Sequence, residues 1–227
     1  MKFEKTDVWG FEHAIRGMRN PLESWSKSDS KMELVKNIKN DSFKLQWVIG
    51  ENDLQLAQKL IKAGSEHRKF LRQIFVSVDI TAPLYWWKEF DTYKVGTVAN
   101  STSTMHKLAN TPITKDCFEM DDFENIPIDE RSNSERFWGL LIEKLEFLRT
   151  LYNETNDKRY WKELIRLLPE SWLQTRTVTM NYENLLNICS PQQRRNHKLT
   201  EWSTAFIGWA RTLLYAQELI FIDEVKE

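Results

Sequence analysis

The chain has 227 residues, 41% of them hydrophobic and 29% charged, with 32 basic and 33 acidic side chains. That length can bury a substantial core, and no break in composition divides it, so it reads as one domain over residues 1–227. A net charge of −1 removes any bulk electrostatic case for binding nucleic acid or a membrane surface. Cys117 and Cys189 are the only cysteines and form no CxxC pair, which suits a reducing compartment. The N-terminus lacks the apolar core of a signal peptide, and no uncharged run approaches the roughly 20 residues of a membrane span. The expectation is a soluble, cytoplasmic protein. Ten tryptophans and twelve phenylalanines point to a crowded interior or an oligomer contact.

The first fifty residues are mixed, with a turn at Arg16-Gly17-Met18-Arg19-Asn20-Pro21 and a polar run from Ser24 to Ser30. Asn52 reads as a helix cap, followed at helical spacing by Leu54, Leu56, Ala57, Leu60 and Ile61 and ended by Gly64. Ile74, Val76, Val78 and Ile80 alternate with Phe75, Ser77 and Asp79, the pattern of a strand. Pro83 suits the start of a helix opening Tyr85-Trp86-Trp87, where core packing outweighs ligand stacking. Residues 110–134 lack periodicity and predict a long surface excursion. From Ser134 to Tyr152, Phe137, Leu140, Leu141, Leu145 and Leu148 predict an amphipathic helix. Arg176 to Met180 suggests a short strand, Asn181 a further cap, and residues from about Leu199 to Ile220 a final long helix. One small sheet among many helices, without βαβ alternation, predicts an α+β fold.

The chain carries no P-loop, GxGxxG, HExxH or GxSxG. His13, His67, His106 and His197 include no pair at i, i+4, which disfavours a zinc site. The most informative stretch is Gly64 to Lys107. It reads helix, strand, helix, then a polar loop with Asn100, Ser101, Thr102, Ser103 and Thr104. Short hydroxyl and amide side chains beside free backbone N–H groups suit a phosphate cradle, and equally a solvated loop.

The order of these elements resembles the flavin-dependent thymidylate synthases, whose signature reads Arg-His-Arg-x-x-Ser-x-Asn-Glu-x-Ser-x-Arg-Tyr after a strand and a short helix. Ala82-Pro83 stands where the family's helix begins, and His67 lies one strand upstream, like the histidine of the family's Gly-His-Glu segment. Lys88 and Glu89 fall where the family has Arg and Gln, and Asn100 and Ser103 match the signature in identity and spacing. Leu168-Pro169 is followed by Asn181 twelve residues beyond the proline and Asn187 eighteen beyond it, as in the family. Arg194 and His197 fit the family's next arginine and histidine with two residues inserted, Arg195 fitting nearly as well as Arg194, and Arg166 lies one residue from another family arginine. The resemblance covers roughly residues 60–220. The chain departs from it at Thr92-Tyr93-Lys94, in place of Arg-His-Arg, at Ser101, in place of Glu, and at Met105-His106, in place of Arg-Tyr. Only Lys94 keeps a positive charge in the first of these.

The resemblance implies a helix-rich fold of that type, with FAD as cofactor held by His67, Lys94, Asn181 and Asn187. It implies a pyrimidine deoxynucleotide substrate contacted by Lys88, Glu89, Asn100, Ser101, Ser103, Arg166 and Arg194. The implied reaction moves a one-carbon unit from methylene-tetrahydrofolate to a deoxyuridylate-type nucleotide, with NADPH as electron source, in a homotetramer. The alternatives are a non-catalytic nucleotide-binding or interaction protein on the same fold, or a helical scaffold unrelated to it.

Overall fold

In the strand β4 (Phe75–Pro83), Val76, Val78, Ile80 and Ala82 are buried while the residues between them are half-exposed. This is the period-2 pattern visible in the sequence. The computed structural model describes residues 1–37, 42–103, 107–120 and 127–224, so Thr104, Met105 and His106 lie outside the described residues. The remaining strands are β1 (Lys2–Trp9), β2 (Lys31–Asn37), β3 (Ser42–Val48), β5 (Val98–Ser101) and β6 (Leu173–Asn181). Four of them form one sheet in the order β1-β4-β6-β5, and β2 pairs with β3 in an antiparallel hairpin. The helices are α1 (Phe11–Arg19), α2 (Glu51–Lys62), α3 (Leu84–Phe90), α4 (Ile128–Thr155), α5 (Lys158–Leu167), α6 (Tyr182–Ile188), α7 (Ile207–Ala210) and α8 (Ala216–Leu219). The class is α+β, helix-rich, as the sequence predicts. The hairpin is an addition to the single sheet expected.

The chain folds as two compact units. The first comprises Met1–Glu4, Asp79–Thr92 and Ala99–Thr177. Its core gathers Leu108, Ile113, Phe118, Leu145, Leu148 and Leu164. Ile113 and Phe118 therefore correct the expectation of a surface excursion over 110–134. Phe118 bridges to Trp172, and α4 already begins at Ile128. Trp86 and Trp87 are fully buried, and the Trp87 indole N–H donates to the Gln174 carbonyl at 2.9 Å. Thr81 meets Thr175 at 2.7 Å, and Thr177 donates to Asp79 at 2.6 Å. One number rises as the other falls, so β4 and β6 run antiparallel here.

The second unit comprises Lys5–Val78, Tyr93–Val98 and Val178–Glu227. Phe11 sits edge-on to both Tyr182 and Tyr215. Tyr182 donates to the Leu214 carbonyl at 2.6 Å, and the Tyr215 hydroxyl accepts from the Ile49 N–H at 2.9 Å. Tyr215 adopts φ +55°, a left-handed conformation that a continuing helix cannot contain. This breaks the long helix expected over Leu199 to Ile220 into a π-helical stretch (Glu201–Phe206), α7 and α8. Nor is Arg16 to Arg19 a turn, because these residues complete α1. Helix α2 is capped by Asp29, whose carboxylate accepts from the N–H groups of Asn52 and Asp53 at 2.9 and 3.1 Å, rather than by Asn52. Gly64, at φ +106°, ends α2 as expected.

Asp53 is the one fully buried carboxylate among the described residues. It accepts from Arg19 Nε at 2.5 Å, Ser28 Oγ at 2.7 Å, Ser30 Oγ at 2.6 Å and the N–H groups of Asp29 and Ser30 at 3.1 and 3.0 Å. Burial alone pushes this carboxyl up, but the hydrogen bonds from Ser30, Ser28 and Arg19 outweigh it and hold it below the usual 3.8. A depressed folded value means that the stabilisation is complete above the unfolded value and fades as pH falls below it. Asp53→Ala strands Arg19 in the interior and is expected to cost about 3–5 kcal/mol in urea unfolding. Acidification from about pH 6 to about pH 3 should erode stability in the parent and much less in the variant. A loss below about 1 kcal/mol would contradict this account.

Candidate functional site

Four of the sequence-predicted cofactor positions, His67, Lys94, Asn181 and Asn187, fall in the second unit. Two connected clusters organise them. The first begins at the turn after α2, where the N–H groups of His67 and Arg68 both donate to the Gly64 carbonyl at 3.0 and 3.2 Å. This leaves the His67 imidazole exposed and carries Arg68 to α6. Arg68 Nη2 donates to Asn187 Oδ1 at 2.9 Å, and Arg68 Nε donates to Glu183 Oε1 at 3.4 Å. Arg72 Nε donates to the other Glu183 oxygen.

Glu183 and Asn187 stand four residues apart, on one face of α6. Glu183 is 8% exposed, and burial alone raises its carboxyl. Hydrogen bonds and charge from Arg72 and then Arg68 reverse this and hold it below the ordinary carboxylate range. The same bond raises Arg72. One carboxylate thus serves two guanidinium groups; Glu66 adds a second negative charge near Arg72, and Lys69 a third cation on the wall of the neighbouring cleft, so three cations face two carboxylates.

Beside it lies a cleft of about 580 Å³ whose walls include Met18, Pro21, Leu60 and Phe70, with Asn20, Glu66, His67, Lys69, Arg72 and Gln73 as its polar and charged groups. A cleft of this volume that combines apolar walls with polar groups is usual for a small-molecule site.

The second cluster holds the strap of residues 93–98. Asn181 starts α6 with a reciprocal cap. Its Oδ1 accepts from the Asn184 N–H at 3.0 Å, and Asn184 Oδ1 accepts from the Asn181 N–H at 3.1 Å. Asn184 Nδ2 then donates to the Val95 carbonyl at 2.7 Å. At the strap's start, the Tyr93 hydroxyl accepts from Arg194 Nε at 2.9 Å, and the Arg194 guanidinium lies 4.7 Å from the Trp202 ring centre. Arg194 is set by a π-helical turn, Pro191–Arg195. Its neighbour Arg195 is committed to Asp223 at 2.6 Å and Glu224 at 2.9 Å. Lys94, between the two anchors, is exposed.

The first unit holds the predicted substrate positions other than Arg194. Lys88 and Glu89 are on α3, where Lys88 pairs with Glu170 at 2.6 Å in the open. Asn100 and Ser101 lie on the edge strand β5 rather than in the loop expected there. Thr102 is clamped to β6, donating to the Thr175 carbonyl and accepting from Gln174 Nε2, both at 2.9 Å. The Ser103 carbonyl accepts from the Lys107 N–H at 3.1 Å. Arg166 projects from α5 and pairs with Glu163 at 3.3 Å, with both side chains largely exposed.

The sequence did not single out Arg68, Arg72, Glu183, Asn184 or Trp202 as site residues. The available signals were the i, i+4 pairs Arg68/Arg72 and Glu183/Asn187, and Asn-x-x-Asn at the start of α6. Among the described residues no three His, Cys, Asp or Glu side chains converge as metal ligands.

Comparison with solved structures decides what this framework is. The flavin-dependent thymidylate synthase from Helicobacter pylori, determined as a complex with FAD and dUMP, matches 100% of this chain with 100% of its own, at a TM-score of 0.65 and 18% identity. This chain has that fold. A second structure described as thymidylate synthase X from the same organism, with FAD and dUMP, matches over 97% of each chain at a TM-score of 0.63, again with 18% identity. No family model and no curated protein matches the sequence. The thymidylate-synthase likeness is therefore one of shape, carried by few shared residues.

Gly96 shows how tightly the strap is seated against α6. It has φ +77°, and a Cβ there would lie 2.9 Å from Asn181 Nδ2 and 3.1 Å from Asn184 Oδ1. Gly96→Ala should lower stability by about 1–2 kcal/mol through the left-handed conformation alone. It should also accelerate amide exchange across 93–98. Unchanged exchange there would show that the strap is not anchored through this contact.

Proposed function

We propose that this protein is a flavin-dependent enzyme that binds FAD in its second unit and acts on a pyrimidine deoxynucleotide. The observation that carries the reading is the Arg68–Glu183–Arg72 cluster, with two guanidiniums to one carboxylate, beside the cleft at His67. FAD brings a pyrophosphate and an extended apolar ring system, and the residues present fit both. Lys69 and the two arginines, which outnumber Glu183 and Glu66, and the Asn187 amide suit the phosphates, while Met18, Pro21, Leu60 and Phe70 suit a ring face. The full-length fold match to synthases bound to FAD and dUMP supports the same reading.

In this proposal His67, Lys94, Asn181 and Asn187 contact the cofactor. Asn181 acts largely through position, because its side chain is already engaged as the α6 cap. When bound, reduced flavin supplies the reducing equivalents for transfer of a one-carbon unit from methylene-tetrahydrofolate to a deoxyuridylate-type nucleotide, with NADPH as source. The protein's own groups bind and orient. Lys88 and Glu89 present charge from α3, and Asn100, Ser101 and Ser103 present hydrogen-bonding groups from β5 and the residues after it. Arg194 offers the charge-assisted contact that a phosphate needs, and Arg166 is a second such cation on an exposed helix face.

One observation favours the non-catalytic alternative on the same fold. Thr92-Tyr93-Lys94 replaces the arginines of the related signature, and Tyr93 spends its hydroxyl holding Arg194. Turnover separates the two readings. Protein supplied with FAD, NADPH, methylene-tetrahydrofolate and deoxyuridylate should form methylated product slowly, and binding without product would favour the alternative. Asn187→Ala should weaken FAD by about 1–3 kcal/mol in calorimetry, whereas Ser103→Ala should leave FAD affinity unchanged and weaken only the nucleotide. Arg194→Ala should abolish nucleotide binding. An Arg194→Ala protein that binds nucleotide normally would remove that residue from the substrate site.

A further inference from the structure

The strap that opens with Tyr93 meets the turn Pro191–Arg195 at two adjacent side chains. The Tyr93 hydroxyl donates to Gln193 Oε1 at 3.3 Å and accepts from Arg194 Nε at 2.9 Å. Its one proton is given to the amide, which turns a lone pair toward the guanidinium. Phenylalanine at this position could do neither. The Tyr93 ring is itself fixed, standing edge-on to Trp202 at 6.1 Å between ring centres. Trp202 is fully buried on the π-helical stretch Glu201–Phe206 and packs edge-on against Phe206 at 5.3 Å. The backbone behind the ring is tied as well. The Tyr93 carbonyl accepts from Thr97 Oγ1, and the Val95 carbonyl accepts from Asn184 Nδ2 at 2.7 Å.

The Arg194 guanidinium lies 4.7 Å from the Trp202 ring centre and 5.5 Å from that of Tyr93. An arginine at the surface samples many rotamers, and a ligand that immobilises it loses that freedom on binding. Here the indole face and the Nε bond fix the side chain beforehand. Nε is also withdrawn from ligand contact, so a phosphate bond falls to Nη1 and Nη2, an edge that can grip two oxygens at once. The choice of partners matters. Arg195 is held by the carboxylates of Asp223 and Glu224, which cancel its charge. Neither a phenol oxygen nor an indole face cancels the charge of Arg194, although both orient it. Tyr93 is the centre of Thr92-Tyr93-Lys94, the triplet that lacks the arginines of the related signature. That triplet thus supplies orientation where the signature supplies charge.

We propose that Tyr93 is a positioning residue, whose hydroxyl, with the Trp202 ring as platform, presets the Arg194 guanidinium to grip the phosphate of the nucleotide. This rests on the assignment of that phosphate to Arg194, and it serves binding with or without turnover. Tyr93→Phe keeps the ring and removes the bond. In calorimetry on the full chain it should weaken deoxyuridylate about tenfold and leave FAD affinity at the parental value. A readout without ligand comes from nitrogen-edited NMR. The Arg194 Nε–H resonance, identified by its absence from Arg194→Lys, should exchange with solvent at least about tenfold faster in Tyr93→Phe than in the parent. Unchanged exchange would overturn the proposal. So would a Tyr93→Phe protein that binds deoxyuridylate as tightly as the parent while Arg194→Ala does not bind it. An equal fall in deoxyuridylate and FAD affinity would assign Tyr93 to holding the strap and overturn it too. An Arg194→Ala protein that binds deoxyuridylate normally would instead remove the reading on which the proposal rests.

Discussion

Glu183 stands nearly out of solvent in the first turn of α6 and accepts from Arg68 on one oxygen and Arg72 on the other. A buried carboxylate is tolerable only when charged partners and hydrogen bonds replace the lost water. Here the replacement is excessive, because two cations answer one anion. The helix N-terminus adds its own partial positive charge to the same place. Arg68 reaches past the carboxylate to Asn187 one turn on, so a single pair of arginines ties the segment after α2 to α6 at Glu183 and Asn187. The positions of His67 and Asn187 follow from this tie.

Asp53 stands in contrast to Glu183. It too is buried and paired with an arginine, but five donors from Arg19 and residues 28–30 saturate it. No charge is left over, and the result is a closed joint fastening the polar run 24–30 to α2. The Arg68–Glu183–Arg72 cluster lies beside a cleft where, with Lys69 and Glu66 included, three cations face two carboxylates, which gives it capacity for an anionic ligand. Arg195 repeats the closed pattern, consumed by Asp223 and Glu224, whereas Arg194 rests between the rings of Tyr93 and Trp202.

Local signals carried well into three dimensions where burial and period agree. β4 was legible because its alternation matches a half-buried strand, and Asn181 because a short amide before an apolar run is a strong cap. The long C-terminal helix failed because periodicity is blind to Tyr215, whose left-handed backbone is imposed by tertiary bonds around Ile49 and Phe11. The β2–β3 hairpin escaped because its apolar residues Met32, Leu34, Phe43 and Leu45 face outward, against the rule that apolar residues mark a core. At the site, the spacing of Asn181 and Asn187 was readable, but the arginines that give those amides a purpose lie more than a hundred residues away in sequence. Arg68 meets Asn187 only once Gly64 has turned the chain.

The central claim is that the surplus positive charge of Arg68, Arg72 and Lys69 over Glu183 and Glu66 at the His67 cleft holds the phosphates of a flavin dinucleotide. Flavin fluorescence titration with FAD and with riboflavin, which shares the ring and lacks phosphate, tests this most directly. The account predicts saturable, near-stoichiometric FAD binding that is at least about tenfold tighter than riboflavin and weakens as salt rises. Equal affinity for the two flavins, or no binding of FAD, would contradict it.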